Sequence, residues 1–235
     1  MLEWALQEGK LSENVADKVT VNVPRAVVLR QKDFTDDEAK AILSASLLPA
    51  PSRLSDGHRL ARRWIPWLCA YSGARVGEFA QLRVEDVKQA DGIWFANITP
   101  DAGTVKTGEA REVPLHPHLI EQGFLEVVRA KESGPLFYDP GQQRGKGEGN
   151  RHVDKVGERL AKWVREEVGI TDKAIKPNHA WRHLFKTLCA DAGIGERVAD
   201  AIQGHAPSSV GATYGKVSLR AKAVAMKDFP RFKLD

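Results

Sequence analysis

All the β-type patterning that can build a sheet in this chain lies in one window, about residues 93–115, between segments with helical spacing. GIWFANITP alternates apolar and polar like a strand, and GTVKTGEAREVPL reads as a hairpin turning at Thr107-Gly108. VTVNVPRAVVL is also β-branched, but Pro24 interrupts it, so it reads as an extended linker. A parallel sheet needs strands and helices in alternation along the chain, and that order is absent, so a Rossmann-type fold is excluded. The expected fold is mainly α with a small three-stranded antiparallel sheet.

The helices are written in caps and stripes. Thr35 and Glu38 in FTDDEAKAILSAS have capping-box spacing. RLARRWIPWLCAYSG places Leu60, Trp64, Trp67, Leu68 and Tyr71 on one face, with Pro66 as an expected kink and Gly73 as the stop. ARVGEFAQLRVEDV is a short helix, and HPHLIEQGFLEVVRAK is helical with Pro117 in its first turn. In HVDKVGERLAKWVREEVG, Val153, Val156, Leu160, Trp163 or Val164, and Val168 keep helical spacing. PNHAWRHLFKTLCADAG is expected to be capped by Asn178 and stopped by Gly193. GERVADAIQG and PSSVGATYGKV read as two short helices, and SLRAKAVAMKDFP as a last helix. That last helix offers only Leu219, Ala223, Val224 and Met226, a narrow stripe, so a marginal, mobile seat is expected.

Charge is uneven. Residues 1–140 carry 17 Lys and Arg against 20 Asp and Glu, whereas residues 141–235 carry 18 against 11. The basic half suggests a polyanionic partner, nucleic acid first, or else a solvated basic face. No window approaches 18 uninterrupted apolar residues, so no membrane span is expected. Cys69 and Cys189 lie far apart inside apolar helical patterns, as reduced core cysteines of a cytoplasmic protein would. Tyr71, Tyr138, Trp64, Trp67 and Trp163 read as packing residues. His116 and His118, flanking Pro117, read as surface residues. His179 and His183 are four apart, but without a third ligand nearby they do not read as a metal site.

The chemistry-bearing residues come in a fixed order. Arg75 opens a helix, a place where a guanidinium is unfavourable unless an anion is near, and Glu78 one turn on can order it. Lys106 sits at the hairpin tip. His179 and Arg182 are three apart on one helix face. His205 follows Gly204, and Tyr214 is one of only three tyrosines. Guanidiniums clamp phosphate oxygens and stabilise transition-state charge. A phenol is a nucleophile, and lysine and histidine move protons. The set suits covalent phosphodiester cleavage.

In SGARVGEFAQLRVEDV, VKTGEAREVPL, HAWRH and QGHAPSSVGATYG, the chain resembles the tyrosine recombinase (phage integrase) family over about residues 33–220. Trp181 and Gln203 depart from residues common at those places, in ways expected to touch packing rather than chemistry. The resemblance implies that Tyr214 attacks a DNA phosphate to form a 3′-phosphotyrosyl link and release a 5′-hydroxyl, which a partner strand's 5′-hydroxyl then reverses. It implies Arg75 and Arg182 as phosphate clamps, His205 as a further donor, His179 assisting proton removal, Lys106 as general acid and Glu78 as the residue ordering Arg75. It implies neither metal nor other cofactor. Lys106, Thr107 and Arg151 are expected DNA contacts, Arg151 ending a basic loop over 144–151. The implied partner is double-stranded DNA at attachment sites, met as a homotetramer of the full-length protein, with this chain alone a monomer, in the cytoplasm or nucleoid of a bacterial cell. Residues 1–32, with LEWALQEGKLSENVADKV, resemble the last helix and linker of a core-binding domain, and 33–235 the catalytic domain, as in a fragment of a longer integrase. A type IB topoisomerase or a DNA-binding module without activity are the alternative readings.

Overall fold

The computed structural model describes residues 2–20, 30–103, 105, 108–142, 151–205 and 215–234. The chain divides into two units, Met1–Gln31 and Lys32–Asp235. The first holds α1 (Leu2–Gln7), with no buried residue, and Lys10 lying over the Trp4 ring.

The second unit contains α2 (Asp36–Leu47), α3 (Asp56–Ala70), α4 (Val76–Ala80), β1 (Val87–Ala90), β2 (Ile93–Ile98), β3 (Arg111–Pro114), α5 (Pro117–Glu121), α6 (Phe124–Arg129), α7 (Arg151–Glu166), α8 (Pro177–Asp191), α9 (Glu196–Gln203) and α10 (Leu219–Asp228). Helix α3 is the centre, packed by α2, α4, α7 and α8. Its last seven residues, Trp64 through Ala70, are all buried, so this end is apolar all round, as a helix with neighbours on every side must be. Pro66 lies inside it, and the helix continues to Ala70. The Thr35–Glu38 capping box forms as the sequence predicts. At the end of α2 the Ser46 hydroxyl donates to the Leu43 carbonyl and accepts from Trp67 Nε1 at 2.8 Å, satisfying a buried indole. Among the described residues no helix is long and apolar enough to cross a membrane.

The sheet is antiparallel in the order β1-β2-β3. Strands β2 and β3 lie in the predicted window, but the remaining strand is not the first arm of the expected hairpin. Strand β1 precedes the predicted window, and residues 103, 105 and 108–110 are outside any strand. In β1 only Val87 is buried and the other three residues are exposed, so this edge strand carries no alternation to read. The turn into β2 is Asp91-Gly92, both at positive φ (50° and 76°), the Asp-Gly pair that favours a tight hairpin.

Three further expectations are corrected. Helix α8 is capped at Lys176 with Pro177 first in the helix, and the Asn178 amide instead donates to the Gly157 carbonyl at 3.0 Å. A Cβ at 157 would lie 3.4 Å from that amide nitrogen, in contact with it. The surface reading fails for His116, which is buried, and holds only in part for His118, which is half-buried. The His116 ring stacks on Tyr71 at 4.0 Å, and His118 Nδ1 and the Tyr71 hydroxyl share a hydrogen bond of 2.6 Å. His116 Nδ1 accepts the His118 backbone N–H, so Nε2 carries the proton and donates to the Phe229 carbonyl at 3.3 Å. Helix α10, finally, has contacts beyond the expected stripe. Of its four expected apolar residues only Met226 is buried, but Lys222 is buried with its Nζ donating to the Glu112 carbonyl. Beyond the helix, Phe229 (2% exposed) stacks on Phe185, and Phe232 meets Tyr71 edge-on. The anchor is the segment after the helix, not its stripe.

Trp64, Trp67, Trp163 and Tyr71 lie in the core, and Tyr138 stacks on His152. Cys69 and Cys189 are buried free thiols. The expected helix over PSSVGATYGKV falls almost entirely outside the described residues.

Candidate active site

Gly73 ends α3 at φ 61°, and a Cβ there would come within 2.5 Å of the Gln203 amide nitrogen, so the corner is reserved for glycine. Two residues on, Arg75 is the cap of α4. Its backbone N–H donates to one oxygen of Glu78 at 2.9 Å and its Nη1 to the other at 3.0 Å. Glu78 is 3% exposed. A second guanidinium, Arg111 at the start of β3, grips the same carboxylate with Nη2 at 2.6 Å and Nη1 at 3.2 Å. Burial pushes the Glu78 carboxyl up, but the hydrogen bonds and charges of Arg111 and Arg75 outweigh it and hold it below the usual carboxylate range. Arg111 reaches on to α9, donating to the Ile202 carbonyl from Nε and to the Gln203 carbonyl from Nη2, each at 3.2 Å.

Arg182 on α8 is 8% exposed. Its Nη1 donates to the carbonyls of Gly73 at 2.9 Å and Gln203 at 2.6 Å, its Nη2 to the Gly204 carbonyl at 3.3 Å, and its Nε to His205 Nε2 at 3.2 Å. A guanidinium has five N–H groups, so one on Nη2 is left for a ligand. Burial, and then the neighbouring Arg75 charge, lower its pKa to about 10. Gln203 is fully buried and donates its amide to the Arg182 backbone carbonyl at 2.5 Å, closing the link in both directions.

His205 lies at the end of α9, where Gly204 adopts φ 75° and a Cβ would strike the Arg111 guanidinium. Its Nδ1 meets Asp200 Oδ1 at 3.1 Å, and the same oxygen accepts from Lys186 Nζ at 2.7 Å. Burial and the Arg182 charge lower the His205 imidazole, against the Asp200 carboxylate, which raises it.

The structure therefore brings together Arg75, Glu78, Arg182 and His205. One chain of contacts runs from Arg75 through Glu78, Arg111, the Gln203 carbonyl and Arg182 to His205. His179 stands apart from that chain, exposed in the first turn of α8. Burial, then Lys176, Arg75, His183 and Arg182, lower its imidazole, which puts it in the field of the same cations. Arg151 opens α7 and is exposed. Lys106, Thr107, Tyr214 and the loop at 143–150 lie outside the described residues.

Sequence reasoning missed Arg111, Gln203, Asp200 and Lys186. Arg111 stands inside the quoted VKTGEAREVPL, but nothing local ties it to a carboxylate 33 positions earlier. Gln203 was expected to affect packing alone, yet it holds Arg182 by its side chain and by its carbonyl. Trp181 does pack, edge-on against Phe34. Three guanidiniums converge around one carboxylate, and this excess of fixed positive charge suits an anion with several oxygens.

Residues 32–219 match the phage integrase family. The chain is 24% identical over 189 residues to tyrosine recombinase XerA of Pyrococcus furiosus, covering 80% of this chain and 58% of that protein. It thus spans less than two thirds of the relative's length. In fold it is similar to the integrase from mycobacterium phage Brujita, with a TM-score of 0.59 at 20% identity over 100% of this chain and 69% of that one. It is also similar to a lambda integrase tetramer bound to a Holliday junction, with a TM-score of 0.57 at 17% identity over 92% of this chain and 57% of that one.

Proposed function

Because the chain belongs to the phage integrase family, we propose that it is the catalytic part of a site-specific DNA recombinase, acting through a 3′-phosphotyrosyl intermediate. The observation that carries the reading is the buried network in which Glu78 and four backbone carbonyls fix Arg111, Arg75 and Arg182 around one place. Donors held by other groups before substrate arrives need no reorganisation when charge develops on a phosphate.

In the proposed reaction the Tyr214 phenol oxygen attacks phosphorus as its proton passes to His179. The bond from phosphorus to the 5′-oxygen breaks, and Lys106 protonates the leaving oxygen. Arg75 and Arg182 hold the non-bridging oxygens and His205 gives a further hydrogen bond. Attack by a partner strand's 5′-hydroxyl on the tyrosyl ester reverses every transfer, so bond energy is conserved. Lys106, Thr107 and Arg151 are proposed DNA contacts. The assembly proposed is a homotetramer of the full-length protein on attachment-site DNA, with this chain alone a monomer. Residues 1–32 are read as the end of a core-binding domain and its linker. Support comes from the exposed Leu2, Trp4, Leu11, Val15 and Val19, apolar residues suited to a covering surface.

Incubation with a nicked attachment-site duplex, which traps the cleaved product, tests the reading. The wild-type chain is expected to give a denaturant-resistant protein–DNA adduct, and Tyr214→Phe to bind DNA without forming one. An adduct formed equally by Tyr214→Phe would remove Tyr214 as nucleophile. On a supercoiled plasmid carrying the site, relaxation without strand exchange would make the chain topoisomerase-like.

A further inference from the structure

We infer that Asp200 and Lys186 are positioning residues for His205, holding its ring as the Nδ1–H tautomer so that Nε2 is the nitrogen that gains a proton when an anion enters beside Arg182. The geometry leaves one tautomer. Arg182 Nε–H can only donate and lies 3.2 Å from His205 Nε2, so Nε2 must accept. An ionised carboxylate can only accept, and Asp200 Oδ1 lies 3.1 Å from Nδ1, so Nδ1 must donate. The other tautomer would set two N–H groups against each other at Nε2 and two acceptors at Nδ1.

Asp200 does more than orient. Its charge favours the imidazolium, but Lys186 Nζ sits on the same oxygen at 2.7 Å and is itself held by Glu196 at 3.1 Å. Lys186 draws on the charge that would otherwise serve His205 alone. The charged groups around the ring, among the described residues, are Arg182 and Lys186 from α8, Asp200 from α9, and Arg111 of β3 beneath the adjoining Gly204. Burial first, then the Arg182 and Lys186 charges, favour a neutral ring in the free chain, against the Asp200 carboxylate. A phosphate added beside Arg182 reverses that balance. The ring takes a proton from solvent at Nε2 while its Nδ1–H stays on Asp200; the Arg182 Nε–H to Nε2 hydrogen bond is given up, and both N–H groups turn to the anion, whose charge offsets their repulsion. Recognition of the anion and creation of a donor for it become one event.

The place of this switch in DNA cleavage rests on the recombinase reading, whereas the tautomer itself does not. The first measurement is therefore made on the full chain without DNA. Two-bond ¹H–¹⁵N spectra are recorded against pH, with His205 identified by the signal lost in His205→Gln. The wild-type ring is expected as Nδ1–H at neutral pH. Asp200→Asn keeps a possible acceptor but removes the charge, and should move the His205 titration to lower pH. Lys186→Met frees the carboxylate, and should move it to higher pH. Opposite displacements from two neighbours of the same oxygen are not what general loosening of α9 would give. An Nε2–H tautomer in the wild type, or displacements of the same sign, or none, would overturn the inference. The second measurement is adduct formation on nicked DNA against pH. Its alkaline limb should shift down in Asp200→Asn and up in Lys186→Met. Limbs that stay in place while the wild type forms adduct would remove the two residues from the reaction. The expected tautomer and titrations in a wild-type chain that forms no adduct would uphold the positioning and sink the recombinase reading instead.

Discussion

Replacing Glu78 by glutamine keeps the shape of the side chain and removes its charge. The native carboxylate accepts four N–H groups, two from Arg75 and two from Arg111, and is 3% exposed. A glutamine amide has one accepting oxygen, and its NH₂ must face donors. At least two of the four hydrogen bonds are lost, each to a charged or ordered donor worth about 1.5–3 kcal/mol. Removing one partner from a buried ion pair costs about 3–5 kcal/mol on independent grounds, and the two figures agree. For a domain whose whole stability is about 5–15 kcal/mol, that is a large fraction. Urea unfolding followed by tryptophan fluorescence at pH 7 measures it. The carboxyl titrates below its ordinary 4.5 in the folded chain, so its stabilisation is complete above 4.5 and is lost as pH falls through the folded value. The gap between wild type and Glu78→Gln should therefore narrow on acidification. A difference under about 1 kcal/mol at pH 7, or one that does not change with pH, would refute the account of Glu78 as the buried counter-ion of two arginines.

Arg182→Lys should slow adduct formation by about 10²–10³, since a point ammonium cannot make the fixed fork, and a near wild-type rate would place Arg182 outside the reaction. Lys106→Ala should be almost inactive on normal DNA and recover on a substrate with sulfur at the 5′-bridging position, because a thiolate leaves without a proton. Equal defects on both substrates would send the search for the general acid elsewhere, to His179 first. Phe229→Ala should destabilise the chain by about 3–5 kcal/mol in the same urea assay, and a loss under about 1 would deny that the C-terminal segment is anchored. Burial brings His116, which holds the Phe229 carbonyl, down to about 4, so its contribution is complete above its ordinary 6.5 and disappears as pH falls through about 4. His116→Leu should flatten that part of the acid sensitivity of unfolding.

What was legible in the sequence was local. The Thr35–Glu38 box, the stripe of α7 and the Arg75–Glu78 pair rest on spacings of three or four residues, and all three stand in the structure. What was not legible depended on partners far away in sequence. His116 and His118 beside a proline have the look of a surface turn, and only Tyr71, some 45 residues earlier and packed by the fold, draws His116 into the interior and half-buries His118. Arg111 is an ordinary strand residue until Glu78 and the end of α9 are brought to it. Asn178 is a good cap by type, but Pro177 takes the position just inside the helix and shifts the cap to Lys176. Strand β1 failed for a different reason, since three of its four residues face water and give no periodic signal.

The reach of the Arg182 contacts has a consequence for the order of events as the chain is made. The guanidinium binds a carbonyl 109 residues before it and three groups 21 to 23 residues after it, and Arg111 waits 91 residues for its first partner on α9. Contacts of such separation close late, because the chain entropy they remove is repaid only when both ends are in place. During synthesis Arg75, Glu78 and Arg111 can pair before residue 182 exists, which neutralises one of the two guanidiniums without shaping a site for anything. A polypeptide stopped short of His205 has the basic residues to adhere to DNA and lacks the framework that would aim them. On the proposed reading, the ability to break a DNA strand is thus withheld until synthesis has passed His205 and Tyr214, and a product stopped earlier can adhere to DNA without cutting it.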